Sequence, residues 1–208
     1  MGTTLLLRNF SARTFLRRAL SFSAVSVAVF AQAACGGAAS LLSPASIENV
    51  TRIFSVYALT GTSNALPAAY KFTTESLERP QVLSSGAINF DVAFDITSDG
   101  RVRVLPAKFV VPLPPAGAPV VGLQKMTVTF DLLTRAPTTG FQTDSAVTVG
   151  IGETYTIKLA NSGCTFSEPF YAKITVDSIV LSQRRVVVRS LVNRNCGFFA
   201  LTDGLPTF

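Results

Sequence analysis

The chain has 208 residues, with 18 basic residues against 12 acidic ones, 16 Phe, no Trp and no His. The lack of histidine removes Ser-His-Asp and Cys-His catalysis and most zinc sites. There is no Gly-x-Ser-x-Gly elbow, no glycine-rich phosphate loop and no closely spaced cysteine pair, so no catalytic residue, metal ligand or cofactor is expected and the chain reads as non-enzymatic.

The first element is a leader. Arg8, Arg13, Arg17 and Arg18 precede an apolar run of 16 residues from Ala19 to Ala34, diluted by three serines and Gln32. A basic head, a short apolar middle and small closing residues form an export signal. A permanent bilayer-spanning helix needs about 20 predominantly apolar residues. Residues 1–34 are therefore assigned to a signal peptide, with an uncleaved N-terminal anchor helix as the competing reading. Processing also has two outcomes. Ala31-Gln32-Ala33 fits the small-x-small pattern of ordinary signal peptidase, which would leave Ala34 first. Alternatively, Ala33-Ala34-Cys35-Gly36 resembles the lipobox of bacterial lipoproteins, with Gln32 where an aliphatic residue is usual. That resemblance implies lipidation of Cys35 and residence in the periplasm or outer cell envelope, tethered to a membrane.

Cysteine parity points the same way. The three cysteines are Cys35, Cys164 and Cys196, and exported chains tend to pair theirs. Cys164 and Cys196 lie at the ends of neighbouring predicted strands, so a disulfide between them leaves Cys35 for the lipid. It would close a loop of about 32 residues, worth roughly 3–4 kcal/mol in the chain-entropy model.

Removing the four leader arginines leaves 14 basic against 12 acidic residues, a net of +2. The basic character therefore belongs mostly to the export signal, and Arg184-Arg185 is the one adjacent pair left. Nucleic acid is not an expected partner, because a phosphate-binding face needs clustered basic residues.

Residues 35–45 read as a flexible Gly-, Ala- and Ser-rich tether, and residues 46–208 as one domain. Period-two alternation then recurs. Strands are predicted at Val50–Thr60 and Ala69–Thr73 around a turn at Gly61-Thr62-Ser63-Asn64. In Ile88–Thr97, Ile88, Phe90, Val92, Phe94 and Ile96 share one face, and Asn89, Asp91, Ala93, Asp95 and Thr97 the other, the pattern of a half-buried strand. Asp99-Gly100 supplies a tight hairpin turn to Arg101–Val111, where Pro106 marks an edge or a bulge. Four prolines between Pro112 and Pro119 read as a crossover from one sheet to the other. Further strands follow at Lys125–Leu133, Ser145–Ile151 and Thr154–Ala160 (the last two forming a hairpin at Gly152-Glu153), Phe170–Leu181 and Arg185–Asn193. Eight or nine short strands with regular turns predict an all-β antiparallel sandwich resembling immunoglobulin- or transthyretin-like architecture. An outer-membrane barrel also alternates, but no Trp and four Tyr make poor aromatic girdles.

Asp91 and Asp95 lie about 13 Å apart along one strand, too far for a glycosidase pair. Asp91, Asp95 and Asp99 lack the dense spacing of a calcium loop, so they are expected on solvated faces. Asn49-Val50-Thr51 fits a glycosylation acceptor. Phe198, Phe199 and Phe208 with the proline passage are the nameable contact surface, although core packing accounts better for the phenylalanine pair. Function is then expected to be that of a tethered envelope protein binding another envelope protein or supporting a membrane assembly. A module for a small molecule or glycan, or a hydrolase using carboxylates alone, is the alternative.

Overall fold

The structure is a computed structural model, and it describes residues 44–160 and 163–206. The signal peptide, Cys35, most of the tether and Phe208 lie outside the described residues.

Strands form where β-branched and aromatic residues recur, and they stop at Gly, Pro and Asx turns. In chain order they are β1 (Thr51–Tyr57), β2 (Ala69–Lys71), β3 (Ser76–Glu78), β4 (Val92–Ile96), β5 (Val102–Pro106), β6 (Val120–Lys125), β7 (Gln142–Thr143), β8 (Val147–Val149), β9 (Thr154–Ala160), β10 (Phe170–Val180) and β11 (Arg185–Asn193). A single-turn helix, α1 (Ala107–Val110), follows β5. One antiparallel sheet runs β1-β11-β10-β9-β6-β7, the other β3-β2-β4-β5-β8. Side chains of both, among them Val56, Tyr70, Phe94, Val104, Ile157 and Ile174, share one buried cluster. The chain is thus the expected antiparallel sandwich. Its extra strands, such as β3 and β7, are too short to show alternation.

The predicted Asp99-Gly100 hairpin is real, and β10 with β11 forms another. Between β4 and β5, Thr97 N–H donates to the Arg101 carbonyl at 2.9 Å, and Gly100 takes the positive φ of +79° that the turn needs. β10 and β11 join through a 3-10 turn at Leu181–Gln183. The predicted hairpin at Gly152-Glu153 is corrected. β1 and β2 lie in opposite sheets, and so do β8 and β9. The connections at Gly61-Thr62-Ser63-Asn64 and at Gly152-Glu153 therefore arch over an end of the sandwich. Alternation reveals which side chains face inward and leaves open which strand is the partner. The proline passage does cross between sheets, from β5 through α1 to β6. Pro106 ends β5 opposite Val92, beyond the reach of β8, which pairs only Val102–Val104; its missing N–H costs no ladder bond there.

The Lys125–Leu133 strand is also corrected, because the strand is Val120–Lys125 and the chain then leaves the sheet. Lys173 explains this departure. Its buried ammonium donates to the carbonyls of Phe130 (2.7 Å) and Leu133 (2.9 Å) and sits 4.3 Å from the Phe130 ring. Carbonyls taken by a lysine make no ladder. Phe130 and Leu133 instead join Ala136, Tyr171, Leu191 and Leu201 in a second core on the outer face of the six-stranded sheet. Gly122 permits this cover, since a Cβ there would stand 2.9 Å from that of Phe141. Ala69, Ile88, Phe90, Ala93, Leu105, Ala107 and Ala118 form a third core, which covers the outer face of the five-stranded sheet.

That third core overturns the half-buried strand at Ile88–Thr97. All five residues of β4 are buried, and Ile88 and Phe90 pack in the outer core rather than with Val92 and Phe94. Among the described residues no helix is long and apolar enough to cross a membrane.

Cys164 and Cys196 form the expected disulfide, 32 residues apart in sequence with Cα atoms 5.8 Å apart. Replacing both by Ser should cost about 3–4 kcal/mol of unfolding free energy, read by urea denaturation against the oxidised parent. A difference under about 1 kcal/mol would show that the unfolded chain is not constrained as the chain-entropy model requires.

Candidate functional site

Strand register sorts the connections into two ends. Leu159 pairs with Phe170, Ala160 with Val120, and Asn193 with Tyr171, so these residues and the nearby disulfide share one end. The chain enters the domain there. Asn195 Oδ1 accepts the N–H groups of Ser46 (2.9 Å) and Ile47 (3.0 Å), and its amide donates to the Ile47 carbonyl at 2.8 Å.

The opposite end is a structural clamp built on Asp95. Its Oδ1 accepts the Thr60 hydroxyl at 2.9 Å and Arg184 Nη2 at 3.3 Å. Arg184 also donates to the carbonyls of Thr60 (2.8 Å) and Ile96 (2.9 Å). One guanidinium thereby ties together the β1–β2 arch, β4 and the β10–β11 turn.

The expectation of solvated aspartates fails for Asp91 and Asp95, which are 3% and 9% exposed. The outer core and the clamp cover them. Asp99 alone is exposed, and its carboxyl is held below the ordinary range chiefly by a hydrogen bond from Thr97. The three carboxylates do not converge: Asp95 faces the clamp, Asp99 lies on the hairpin tip, and Asp91 sits at the other end of β4. Among the described residues no group of three or more His, Cys, Asp or Glu is placed to hold a metal ion.

Asp91 lines a cleft of about 500 Å³ at the disulfide end. Lys71, Thr73 and Ser85 supply its other polar side chains; Ile88, Leu159 and the Pro115–Pro119 stretch supply apolar walls. The proline crossover is therefore a wall as well as a connection. Asp91 Oδ2 accepts Phe72 N–H at 2.7 Å. Burial pushes its pKa up to about 6 from 3.8, against the opposing pull of the Phe72 and Thr73 amides and the Lys71 charge. Sequence reasoning singled out Asp91 and misjudged its surroundings. A usable signal was Ala93, an apolar residue at the centre of the supposedly solvated face. Lys71 carried no signal, because only the pairing of Tyr70 with Val92 sets it opposite Asp91.

A second feature is the open side of the sandwich. β1 ends the six-stranded sheet and β3 the five-stranded one. Between them runs a groove of about 470 Å³ lined by Val50, Ile53, Leu77 and Tyr70, with Glu75 and Arg52 alongside. Glu75 pairs with Arg52 and with Arg194, the latter at 3.3 Å. Burial pushes the Tyr70 phenol up to about 12, and its ring stacks on Phe54 with centroids 4.1 Å apart. Ile53 is 67% exposed.

The other named residues are structural. Phe198 is buried, and Phe199 packs 4.9 Å from the Tyr171 ring, so neither forms a contact surface. Asn49 is buried, and its amide donates to the carbonyls of Ala200 and Thr202. The folded domain therefore offers it to no glycosyltransferase. Compared with known protein families, curated proteins and solved structures, the chain matches none.

Asp91 generates a signed pH dependence. Its folded pKa lies above its unfolded one, so it favours folding below about pH 3.8 and loses that contribution as pH climbs through about 6. Two pH units correspond to on the order of 3 kcal/mol. Asp91→Asn should therefore gain about 2–3 kcal/mol relative to the parent between pH 4 and pH 7, measured by urea denaturation at both. A pH-independent difference would mean that the carboxyl has the same pKa in the folded and unfolded states.

Proposed function

We propose that the chain is a non-enzymatic, exported cell-envelope protein, tethered through a lipid on Cys35, that binds an extended segment of another envelope protein along β1. The disulfide is compatible with an oxidising, exported location. The lipobox-like Ala33-Ala34-Cys35-Gly36 supports the tether.

The observation that carries the partner reading is the open middle of the β1 edge. Tyr57 N–H points away from β11 and donates to the Pro67 carbonyl at 2.9 Å. Backbone alternation puts the N–H groups of Ser55, Ile53 and Thr51 on that same side. Thr51 N–H is taken by Asp203 Oδ1 at 2.5 Å and Asn49 N–H by the Gly204 carbonyl at 2.9 Å, which leaves the stretch from Ile53 to Ser55 open. Edge strands are usually blunted by Pro, Lys or a bulge. β1 has seven residues, no Pro and no Lys, and its one charge, Arg52, is tied to Glu75. Exposed Val50, Ile53 and Leu77 flank the edge. An added strand gains main-chain hydrogen bonds from the edge and specificity from these side-chain positions.

Two measurements test this. Intact mass of protein from its native envelope should give an acylated Cys35 N-terminus with a two-proton deficit for the disulfide; an Ala34 N-terminus would remove the tether. Cross-linking in the native envelope should capture a discrete protein complex, lost in Ile53→Lys while thermal stability stays within about 0.5 kcal/mol of the parent, as for ordinary surface changes. Unaltered capture by the variant would remove β1 as the binding edge.

A further inference from the structure

The cleft at the disulfide end carries a second site, independent of the β1 edge. Its volume of about 500 Å³ falls within the range of small-ligand pockets. Two opposite charges share it. The pairing of Tyr70 with Val92 continues to place Lys71 opposite Asp91. Even so, the two make no ion pair with each other, and Lys71 makes none with any described residue. Asp91 is buried to 3% exposure, yet it lines the open space. A carboxylate has about four acceptor positions, and the amides of Phe72 and Thr73 address only part of that capacity.

The lining selects among ligand classes. No aromatic side chain is among the described lining residues, so a sugar ring or nucleobase finds no stacking platform there. Lys71 is the one described basic group in the cleft, and Asp91 opposes it, which disfavours a phosphate. A divalent cation needs several hard oxygen ligands, and Asp91 is the one described carboxylate. What matches is a molecule with a cationic end, an anionic end and an apolar body lying against Ile88, Leu159, Pro115 and Pro119.

We propose that this cleft binds a small zwitterionic ligand of amino-acid or short-peptide type, its free ammonium on Asp91, its carboxylate toward Lys71 and its apolar body against the proline crossover. An ammonium donates hydrogen bonds and charge to a carboxylate that burial otherwise penalises. The crossover supplies a wall with little conformational freedom to lose on binding, because proline fixes its own φ.

The test uses the full chain with trialanine as the probe, its N-acetylated and C-amidated forms as controls, and titration by calorimetry. Trialanine should bind saturably. Acetylation of its amino end should weaken binding at least tenfold, as should Asp91→Asn. Amidation of its carboxyl end and Lys71→Met should each weaken binding severalfold, and amidation should cost nothing further in Lys71→Met. Lys71→Met keeps the test decisive if Asp91→Asn perturbs the fold, since Lys71 makes no ion pair among the described residues. The proposal is overturned if trialanine shows no saturation at millimolar concentration, if the acetylated peptide binds as tightly as the free one, or if amidation weakens binding to Lys71→Met as much as to the parent.

Discussion

Between the sheets, Tyr70, Phe72, Phe94, Leu123, Ile157 and Ile174 are fully enclosed, and the rest of the molecule depends on that contact holding two twisted sheets face to face. Burying each such side chain is worth roughly 1.5–3 kcal/mol. A sandwich of this kind usually leaves its outer faces to water. Here both outer faces are covered as well, one by the excursion after β6 together with the segment after β11, the other by α1, the proline crossover and the stretch before β4. The central strands of both sheets are thereby shielded on both faces with few helical residues.

Double-sided cover determines where polar groups end up. Lys173, Asp91 and Asp95 would be ordinary solvated residues on a half-buried sheet. Enclosed, each needs partners. Lys173 finds two carbonyls and an aromatic face, and Asp95 finds Arg184 and Thr60. Asp91 has backbone amides and an adjacent open cleft. The first two therefore act as fasteners, and the third remains the group with capacity for something else.

The ends and sides of the sandwich then divide the work. Arg184 closes the end opposite the disulfide. The disulfide end holds the incoming chain, through Asn195, and the cleft. The side between β1 and β3 stays open because each is the last strand of its sheet, and the edge of β1 carries unpaired backbone groups. Under the proposed tether, the cleft lies at the end of the domain where the chain arrives from the membrane, while the β1 edge runs along the side. The two proposed interactions occupy different surfaces.

Composition and period-two alternation by themselves determined an all-β antiparallel chain, the Asp99-Gly100 hairpin, the sheet-to-sheet crossing of the prolines and the pairing of Cys164 with Cys196. All rest on local chemistry: side chains alternate across a strand, Gly accepts positive φ, Pro donates no ladder bond, and exported thiols pair. Partnership and cover were decided only by the tertiary structure. Alternation is blind to which strand lies alongside, so the arch at Gly152-Glu153 read as a hairpin, and Met126, Val128, Phe130 and Leu132 read as a strand although Lys173, some 40 residues away, claims the carbonyls of Phe130 and Leu133. It is equally blind to a second layer above the polar face. That is why Asp91 looked solvated, and why its meeting with Lys71 and the proline wall exists only once the chain is folded.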